Sequence, residues 1–307
     1  MSAIQQRSIV YSQNFLKSRY LVDQLLDKCD INLNDIIYEI GPGKGIITER
    51  LAQRCRQVIA IEKDPLLVDA LRPKFAVTAN IRLHEGNFLE YRLPRGHYKV
   101  FANIPFNVTS AIVTQLTTAP VPPDDTYLIM QKEAAKKFLG EPQESLYGIL
   151  LKPCFELELL HRFRRRDFIP APRVDVVMLR LRKRGPPLVL RNEMSLFRDF
   201  VVYSFTTPQP SLRSAFKGIF TSSQFKRLRN NLDLDFDVTP TSLYFEQWLW
   251  LFDGFKRIAT PQAIHTIQGS EMRLRHQQAK LEKIHRTRVS REGTSALKRA
   301  GIDRRGT

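Results

Sequence analysis

The chain has 307 residues, enough for a sizeable core and for two domains. A composition of 43% hydrophobic and 26% charged residues is that of a globular protein, whereas the net charge of +17 favours a polyanionic partner such as nucleic acid. No apolar run approaches the ~20 residues that span a membrane, and the first residues lack an apolar export segment, so we expect a cytoplasmic protein without membrane attachment.

Cysteine and histidine residues show no ligand spacing. The cysteines have no C-x-x-C pair and an odd count, which argues against a disulfide framework and favours reduced thiols. The histidines are scattered, so we expect no metal site. The residues concerned are Cys29, Cys55, Cys154, His84, His97, His161, His265, His276 and His285.

Short apolar runs alternate with helical patterns through residues 1–184. This alternation predicts an α/β fold with a mostly parallel sheet covered on both faces. Two later extended runs, Cys154–Phe163 and Asp175–Arg182, are separated by a short basic loop, which favours an antiparallel hairpin at one edge. The predicted strands are Ile36–Ile40, Val58–Glu62, Ile81–Glu85, Tyr98–Ala102 and Tyr127–Gln131, and the predicted helices are Ile46–Gln53, Pro65–Arg72 and Ser110–Thr118.

A linker rich in charge and proline, Arg182–Pro187, divides the chain. Residues 185–259 combine helical periodicity with aromatic anchors, which predicts a small helical domain. Beyond Thr260 there is no Phe, Tyr or Trp, and 11 Lys and Arg stand against 4 acidic residues. Without aromatic anchors we expect this basic tail, residues 260–307, to be disordered.

A glycine turn follows the strand Ile36–Ile40. Its sequence GPGKG places Gly41, Gly43 and Gly45 before a predicted helix, where glycines let a ligand approach the backbone closely. The GxGxG spacing differs from that of dinucleotide binders and of phosphate loops. A turn of this kind is often only structural, so a cofactor site would require further polar residues beside it.

Two polar strand ends supply them. Glu62 stands 21 residues after Gly41 at the end of the next strand, where a carboxylate accepts hydrogen bonds from ribose hydroxyls. After the third strand, the Asn87 amide can bond an adenine edge while Phe88 packs on its face. Ligands of open parallel sheets bind at these carboxyl ends. The residues therefore indicate a nucleoside cofactor, with an exposed acid and ordinary turn chemistry as the alternatives.

The segment Asn103–Phe106, NIPF, suits a flat base. An exocyclic amine of adenine is a poor nucleophile because its lone pair is delocalised into the ring. The Asn103 amide oxygen and a nearby backbone carbonyl can accept its hydrogens, and since an amide is no base near pH 7, catalysis rests on orientation. Pro105 fixes the turn, and Phe106 offers a stacking face worth roughly 1–3 kcal/mol to an unstacked base. The alternative is an Asn-x-Pro turn with a buried Phe.

Several motifs in order carry a family resemblance. They are SQNFL (Ser12–Leu16), EIGPGKG, AIEKD, GNFLEY, ANIPFNVTS, FIPAPRVDVV (Phe168–Val177) and FTSSQF (Phe220–Phe225). Over residues 12–255 the chain resembles the rRNA adenine N6-methyltransferases, specifically the Erm branch associated with macrolide, lincosamide and streptogramin B resistance.

This resemblance implies a Rossmann-like methyltransferase fold, S-adenosylmethionine as methyl donor, and N6-methylated adenine in the peptidyl-transferase loop of large-subunit rRNA as product. We expect a monomer. One departure concerns Asn87, whose position usually holds Asp, so we expect donor binding to weaken by ~1 kcal/mol. The implied cofactor residues are Asn14, Leu16, Gly41, Glu62, Asn87 and Asn103, beside Gly43, Gly45 and Phe88 from the turn and strand-end argument, and the implied target-pocket residues are Asn103, Phe106 and Phe168.

Three other functions share some of these features. A small-subunit rRNA adenine dimethyltransferase has the same motifs, but it usually carries Leu and Tyr where this chain has Ile104 and Phe106. A DNA adenine methyltransferase generally begins the target motif with Asp. A non-catalytic nucleic-acid-binding relative would not need the glycine turn together with Glu62 and Asn103.

A basic segment next to the target motifs completes the prediction. Nine Lys or Arg lie between Arg162 and Arg184 and flank Phe168, which favours phosphate contact over a merely solvated face. The adenine must leave its stack, which costs a few kcal/mol, and backbone contacts of this segment, the helical domain and the tail would offset that cost.

Overall fold

A computed structural model describes residues 14–208, 211–231 and 238–280, except the side chain of Phe106. The chain divides into two compact units, Met1–Leu188 and Val189–Thr307. No helix within the described ranges is long and apolar enough to cross a membrane.

The first unit is built on a seven-stranded sheet with the order β4-β3-β2-β5-β6-β9-β7. Strands β2 to β6 are parallel, whereas β9 runs antiparallel to both β6 and β7. The predicted α/β fold with an antiparallel edge is thereby confirmed. The strands are β1 Phe15–Leu16, β2 Ile36–Ile40, β3 Gln57–Glu62, β4 Ile81–Glu85, β5 Lys99–Asn103, β6 Asp125–Gln131, β7 Phe155–Arg162, β8 Phe168–Ile169 and β9 Val176–Lys183.

Six helices accompany this sheet within the described residues of the first unit. The third begins where Asp64 caps the backbone N–H of Leu66 and Pro65 takes the first helical position, a strong local start signal. Two helices between β6 and β7 lay outside the prediction. The six are α1 Arg19–Leu26, α2 Ile46–Ala52, α3 Pro65–Phe75, α4 Thr109–Thr117, α5 Lys132–Leu139 and α6 Leu146–Leu151.

Both faces of the sheet are buried. Tyr38, Val100 and Ala102 belong to one apolar cluster, and the alternate residues Ile37 and Phe101 belong to the cluster on the other face. Strands covered on both sides read as continuous apolar runs, which explains why β2 and β5 were evident from the sequence. A separate two-stranded ladder joins β1 to β8.

The second unit is helical around an aromatic core. Phe200 stacks on Phe216 with ring centroids 4.9 Å apart, and Phe197 meets Phe252 edge to face at 5.2 Å. Trp248 is fully buried among them. The helices are α7 Met194–Thr206, α8 Leu212–Ala215, α9 Ser222–Asn231, α10 Phe245–Ile258, α11 Pro261–Ile267 and α12, residues 270–280.

The expectation of a disordered tail is wrong for residues 261–280. Ile267 is fully buried, and the buried Asp199 on α7 accepts hydrogen bonds from the N–H groups of Gly269 and Glu271. Glu271 also forms a two-pronged ion pair with Arg198. A short aliphatic face and polar capping thus hold the segment without aromatic anchors. Residues 281–307 lie outside the described residues.

Candidate active site

Four predicted residues end four neighbouring strands of the sheet. The strand order β4-β3-β2-β5 sets Asn87, Glu62, Gly41 and Asn103 in a row along the carboxyl edge. Backbone bonds hold the row together, from Gly41 N–H to Ile61 and from Gly86 N–H to Glu62. With strands about 4.8 Å apart, the row spans roughly 14 Å, at the edge where parallel sheets bind ligands.

A crevice opens at the end of this row formed by Gly41 and Asn103. It encloses about 640 Å³ of empty space, part of it open to solvent. Six residues predicted for the site line it together. They are Asn14, Leu16, Gly41, Gly43, Asn103 and Phe168.

The three glycines of the turn have different surroundings, although all have positive φ. A Cβ on Gly41 would meet nothing within 4 Å, so this glycine leaves space for a ligand against the backbone. A Cβ on Gly43 would lie 2.5 Å from the ring of Phe15. Gly45 lies off the crevice, where a Cβ would stand 2.5 Å from Phe75 on α3. Only Gly41 therefore has open space of the kind a cofactor needs.

Glu62 is buried beside the turn. One carboxylate oxygen accepts from Gly43 N–H at 3.1 Å, and the other accepts from the N–H groups of Lys63 and Asp64 at 2.8 and 2.9 Å. Burial raises the pKa of Glu62, while these backbone donors act in the opposite direction. The carboxylate is thus fixed at the strand end, next to the turn but not among the crevice-lining residues.

Asn103 is oriented by the amino-terminal segment. Its Nδ2 donates to the backbone oxygen of Asn14 at 2.7 Å. Because a carbonyl can only accept, this bond fixes which way round the amide lies. Oδ1 makes no side-chain hydrogen bond to any residue that the structure describes. The Asn103 oxygen is therefore available as an acceptor.

The ladder between β1 and β8 brings the amino-terminal segment to the crevice. Leu16 pairs with Phe168, and both side chains are buried. Phe168 packs on Phe163 with ring centroids 5.2 Å apart and is 0% exposed. In this conformation Phe168 forms a wall of the crevice and has no free face for a base.

The geometry agrees with comparisons to known proteins. A sequence model of the family described as ribosomal RNA adenine dimethylase matches residues 4–256. The chain belongs to this family. It is 30% identical over 243 residues to an rRNA adenine N-6-methyltransferase of Bacillus licheniformis, covering 78% of this chain and 84% of the relative.

Two further relatives bear on the branch of the family. The crystal structure of the 23S rRNA methyltransferase ErmE has a TM-score of 0.73 and 28% identity, covering 79% of this chain and all of that one. A ribosomal RNA small subunit methyltransferase A of Rippkaea orientalis is 28% identical over 256 residues, covering 78% of this chain and 94% of the relative. The predicted family is confirmed, and this rRNA adenine methyltransferase uses S-adenosylmethionine as methyl donor.

The residues present fit this cofactor. Gly41 leaves open space at the backbone, and the buried Glu62 carboxylate is fixed next to the same turn. Lys44 is the one ionisable side chain among the crevice-lining residues that the structure describes. The crevice thus offers polar, uncharged acceptors and no carboxylate or imidazole that could act as a base.

The outer end of the row differs from the expectation. Asn87 caps a short 3-10 turn, because its Oδ1 accepts from Leu89 N–H and its Nδ2 donates to Glu90. The same turn directs Phe88 inward, where its ring is 5% exposed within the sheet core rather than free to pack on adenine. The side chain of Phe106 lies outside the described residues.

Sequence reasoning passed over two residues at the turn. Phe15 lines the crevice, contacts the position of Gly43, and lies under the Lys44 ammonium, 5.3 Å from the ring centroid. Its neighbours Asn14 and Leu16 were selected from the SQNFL motif, so the motif held the signal. No sequence signal pointed to Glu39, because an acidic residue within a strand is normally expected on the exposed face.

Glu39 is a fully buried acid in β2, two residues before Gly41. Burial raises the pKa of Glu39 to about 8. The nearby Thr48 hydroxyl on α2 lowers this pKa in part. Neither Glu39 carboxyl oxygen, however, has a well-formed hydrogen bond within the described residues. Burial therefore favours the neutral form of this carboxyl.

Some cations of the basic segment 162–184 form ion pairs with acidic residues in or next to the sheet, and others are unpaired within the described part of the chain. Exposed arginines without an ion pair among the described residues are Arg162, Arg164, Arg166, Arg173 and Arg182. Arg165 lies 3.8 Å from Asp175. The paired residues are Arg180 with Asp125 at 2.7 Å, Lys183 with Asp124 at 3.5 Å and Arg184 with Glu156 at 2.9 Å.

Proposed function

We propose that this methyltransferase acts on N6 of one adenine in the peptidyl-transferase loop of 23S rRNA and so confers resistance to macrolide, lincosamide and streptogramin B antibiotics. The observation that carries the proposal is the Asn103 amide, fixed by Asn14 in the crevice that Gly41 borders. In this arrangement an acceptor oxygen for an amine stands next to the open backbone turn.

Asn103 orients the amine in this proposal. Its free Oδ1 accepts one amine hydrogen, and the backbone oxygen of Ile104 is the candidate for the second, because that of Pro105 already accepts from Val108 N–H. Holding both hydrogens directs the nitrogen lone pair at the donor. S-adenosylmethionine supplies a methyl group on a sulfonium. Because the crevice-lining residues that the structure describes include no carboxylate or imidazole, the proton leaves to solvent.

The substrate RNA contacts the unpaired arginines around β8. Arg164, Arg166 and Arg173 flank Phe168, which lines the crevice, and a guanidinium suits phosphate oxygens. Such contacts bind the RNA backbone without reading sequence and offset the cost of extruding the adenine. In the same proposal Phe106 stacks on the extruded base, the chain acts as a monomer in the cytoplasm, and the helical unit adds RNA contacts.

The choice of 23S over small-subunit rRNA is supported by two observations. The ErmE structure, titled a 23S rRNA methyltransferase, shares 28% identity along its whole length. Ile104 and Phe106 also stand where the small-subunit branch usually carries Leu and Tyr. The relative named for the small subunit, at similar identity, defines the alternative.

The test is methyl transfer to separated rRNAs. Full-length protein and labelled S-adenosylmethionine are incubated with 23S and with 16S rRNA, and the modified base is mapped by primer extension. We expect label in 23S rRNA alone, and a macrolide-sensitive bacterial host should gain macrolide resistance on expression. Label confined to 16S rRNA would overturn the proposal in favour of the small-subunit function.

A further inference from the structure

A second recess lies in the helical unit, between α9 and α10. It encloses about 850 Å³, partly open to solvent, and two helix faces line it. Gly254 lets the helices approach, since a Cβ there would stand 2.4 Å from Leu228. The groove is lined by Arg227, Leu228 and Asn231 of α9 and by Trp250, Gly254 and Arg257 of α10.

Trp250 has no role in the core of this unit. Its side chain is 59% exposed, whereas Trp248, two residues earlier on the same helix, is fully buried. The buried face of α10 is formed by other residues, and the Trp250 ring contacts no aromatic ring or cation among the described residues. A large exposed indole beside a recess is a common feature of binding sites.

The α9 side of the groove carries positive charge, while Asp253 of α10 also lines it. Helix α9 holds Lys226, Arg227 and Arg229 and no acidic residue. Arg227 is exposed without an ion pair in the described part of the chain, whereas Arg257 is neutralised by Asp253 at 2.6 Å. The guanidinium group of Arg227 is therefore available to donate two parallel hydrogen bonds to a phosphate. Asp233, Asp235 and Asp237 follow in the sequence but lie outside the described residues.

We propose that this groove binds a single-stranded nucleotide of the substrate RNA, with a base stacked on Trp250 and an adjacent phosphate held by Arg227. The inference rests on RNA being the substrate of the catalytic unit. Proteins commonly bind unpaired RNA through an aromatic ring that stacks on a base and an arginine that contacts a phosphate. Stacking of this kind does not depend strongly on the RNA sequence. An acidic protein segment would use the arginine but would gain little from the flat ring.

The chain allows a site-specific optical test because it has two tryptophans and one is buried. Full-length protein is titrated with a single-stranded octaribonucleotide, and tryptophan fluorescence is followed. We expect quenching of the exposed indole in the wild type and its absence in Trp250→Phe, which retains only Trp248. If wild-type tryptophan fluorescence does not change at saturating RNA, the proposal is overturned. The same holds if an acidic peptide quenches the fluorescence and RNA does not.

Two variants then test the phosphate contact with the same signal. Arg227→Ala should raise the RNA concentration needed for half-maximal quenching several-fold. It should also lower the slope of log binding constant against log salt concentration by about one unit. Lys217→Ala, an exposed cation of the same unit outside the groove, is the matched control and should change neither value. Equal effects of both variants would mean diffuse attraction and would refute the site.

Methylation distinguishes this inference from the proposed function. In 23S rRNA methylation, Trp250→Ala should raise KM about 5- to 100-fold and leave kcat unchanged, while Trp250→Phe stays near wild type. If methylation of 23S rRNA proceeds but quenching and the KM effect are absent, the groove proposal fails alone. If 23S rRNA is not methylated while the octaribonucleotide still quenches Trp250, the proposed function fails and the groove stands.

Discussion

The donor side and the acceptor side of the crevice are held together in different ways. The proposed donor side, formed by Gly41, Glu62 and Asn87, relies on contacts over shorter chain separations, such as the 19 residues between Gly43 and Glu62. On the acceptor side, Asn103 depends on Asn14, which is 89 residues away. In the proposed function, the strand-end part of the donor site is therefore independent of β1, whereas orientation of the target amine depends on the position of the amino-terminal segment.

The largest expected effect comes from a substitution that disables the acceptor side alone. Asn103→Ala removes the acceptor oxygen, so we expect kcat for 23S rRNA methylation to fall about 10²–10³-fold, as when a preorganised hydrogen-bonding group is lost. S-adenosylmethionine binding, measured by calorimetry, should change little. Single-turnover kinetics would isolate the chemical step.

Asn34→Ala is the matched control for this substitution. Asn34 is exposed just before β2, at the opposite end of the strand from the crevice. We expect wild-type kinetics for it. A near-normal rate in Asn103→Ala would show that the amide does not orient the amine.

A pair of alanine substitutions separates two functions inside the donor turn. Gly45→Ala should lower the free energy of unfolding by roughly 2–5 kcal/mol, because a Cβ would meet Phe75 at 2.5 Å in a positive-φ conformation. Gly41→Ala should cost only about 1–2 kcal/mol of stability, since its Cβ meets nothing, yet weaken donor binding about tenfold. Denaturant unfolding and calorimetry measure both quantities. Equal losses of stability would contradict this division.

The strands of the donor side were predictable from the sequence. Ile36–Ile40 and Ile81–Glu85 were predicted with their observed bounds. The first is buried on both faces and is a continuous apolar run, whereas the second alternates half-buried apolar residues with exposed polar ones. The bond from Asn103 to Asn14 leaves no local pattern, and neither does the pairing of Leu16 with Phe168. The same reason explains the error at residues 261–280, where distant Asp199 and Arg198 hold the chain.

Glu39 offers a pH-dependent test of the strand beneath the donor turn. Its pKa is raised to about 8 in the folded chain, so the folded state keeps a proton that the unfolded state loses above its ordinary pKa near 4.5. The free energy of unfolding should therefore fall as pH rises through this window, by about 2–3 kcal/mol between pH 5 and 7.

Glu39→Gln should abolish this contribution, because a neutral amide does not titrate. Urea unfolding followed by circular dichroism at pH 5, 6, 7 and 8 provides the measurement. Glu141→Gln, at an exposed position, should retain the wild-type slope. Parallel pH profiles for wild type and Glu39→Gln would mean that Glu39 is ionised in the folded chain.

The smallest effect concerns Asn87, at the outer end of the donor side. Asn87→Asp would give the adenine amine a charge-assisted acceptor, worth ~1 kcal/mol or about fivefold in affinity. However, Nδ2 of Asn87 donates to Glu90 at 2.9 Å, so the new carboxylate would face a like charge. Asn87→Asp alone should therefore change the Kd for S-adenosylmethionine less than about threefold.

Removal of the opposing charge should release the gain. The double variant Asn87→Asp with Glu90→Gln should bind S-adenosylmethionine about fivefold more tightly than wild type, and Glu90→Gln alone should bind about as wild type does. Capping of the turn survives, since Asp still accepts from Leu89 N–H. Calorimetry on the four proteins completes the cycle. Additive effects of the two substitutions would mean that Glu90 exerts no influence on position 87, and that the strand end binds adenine independently of its turn.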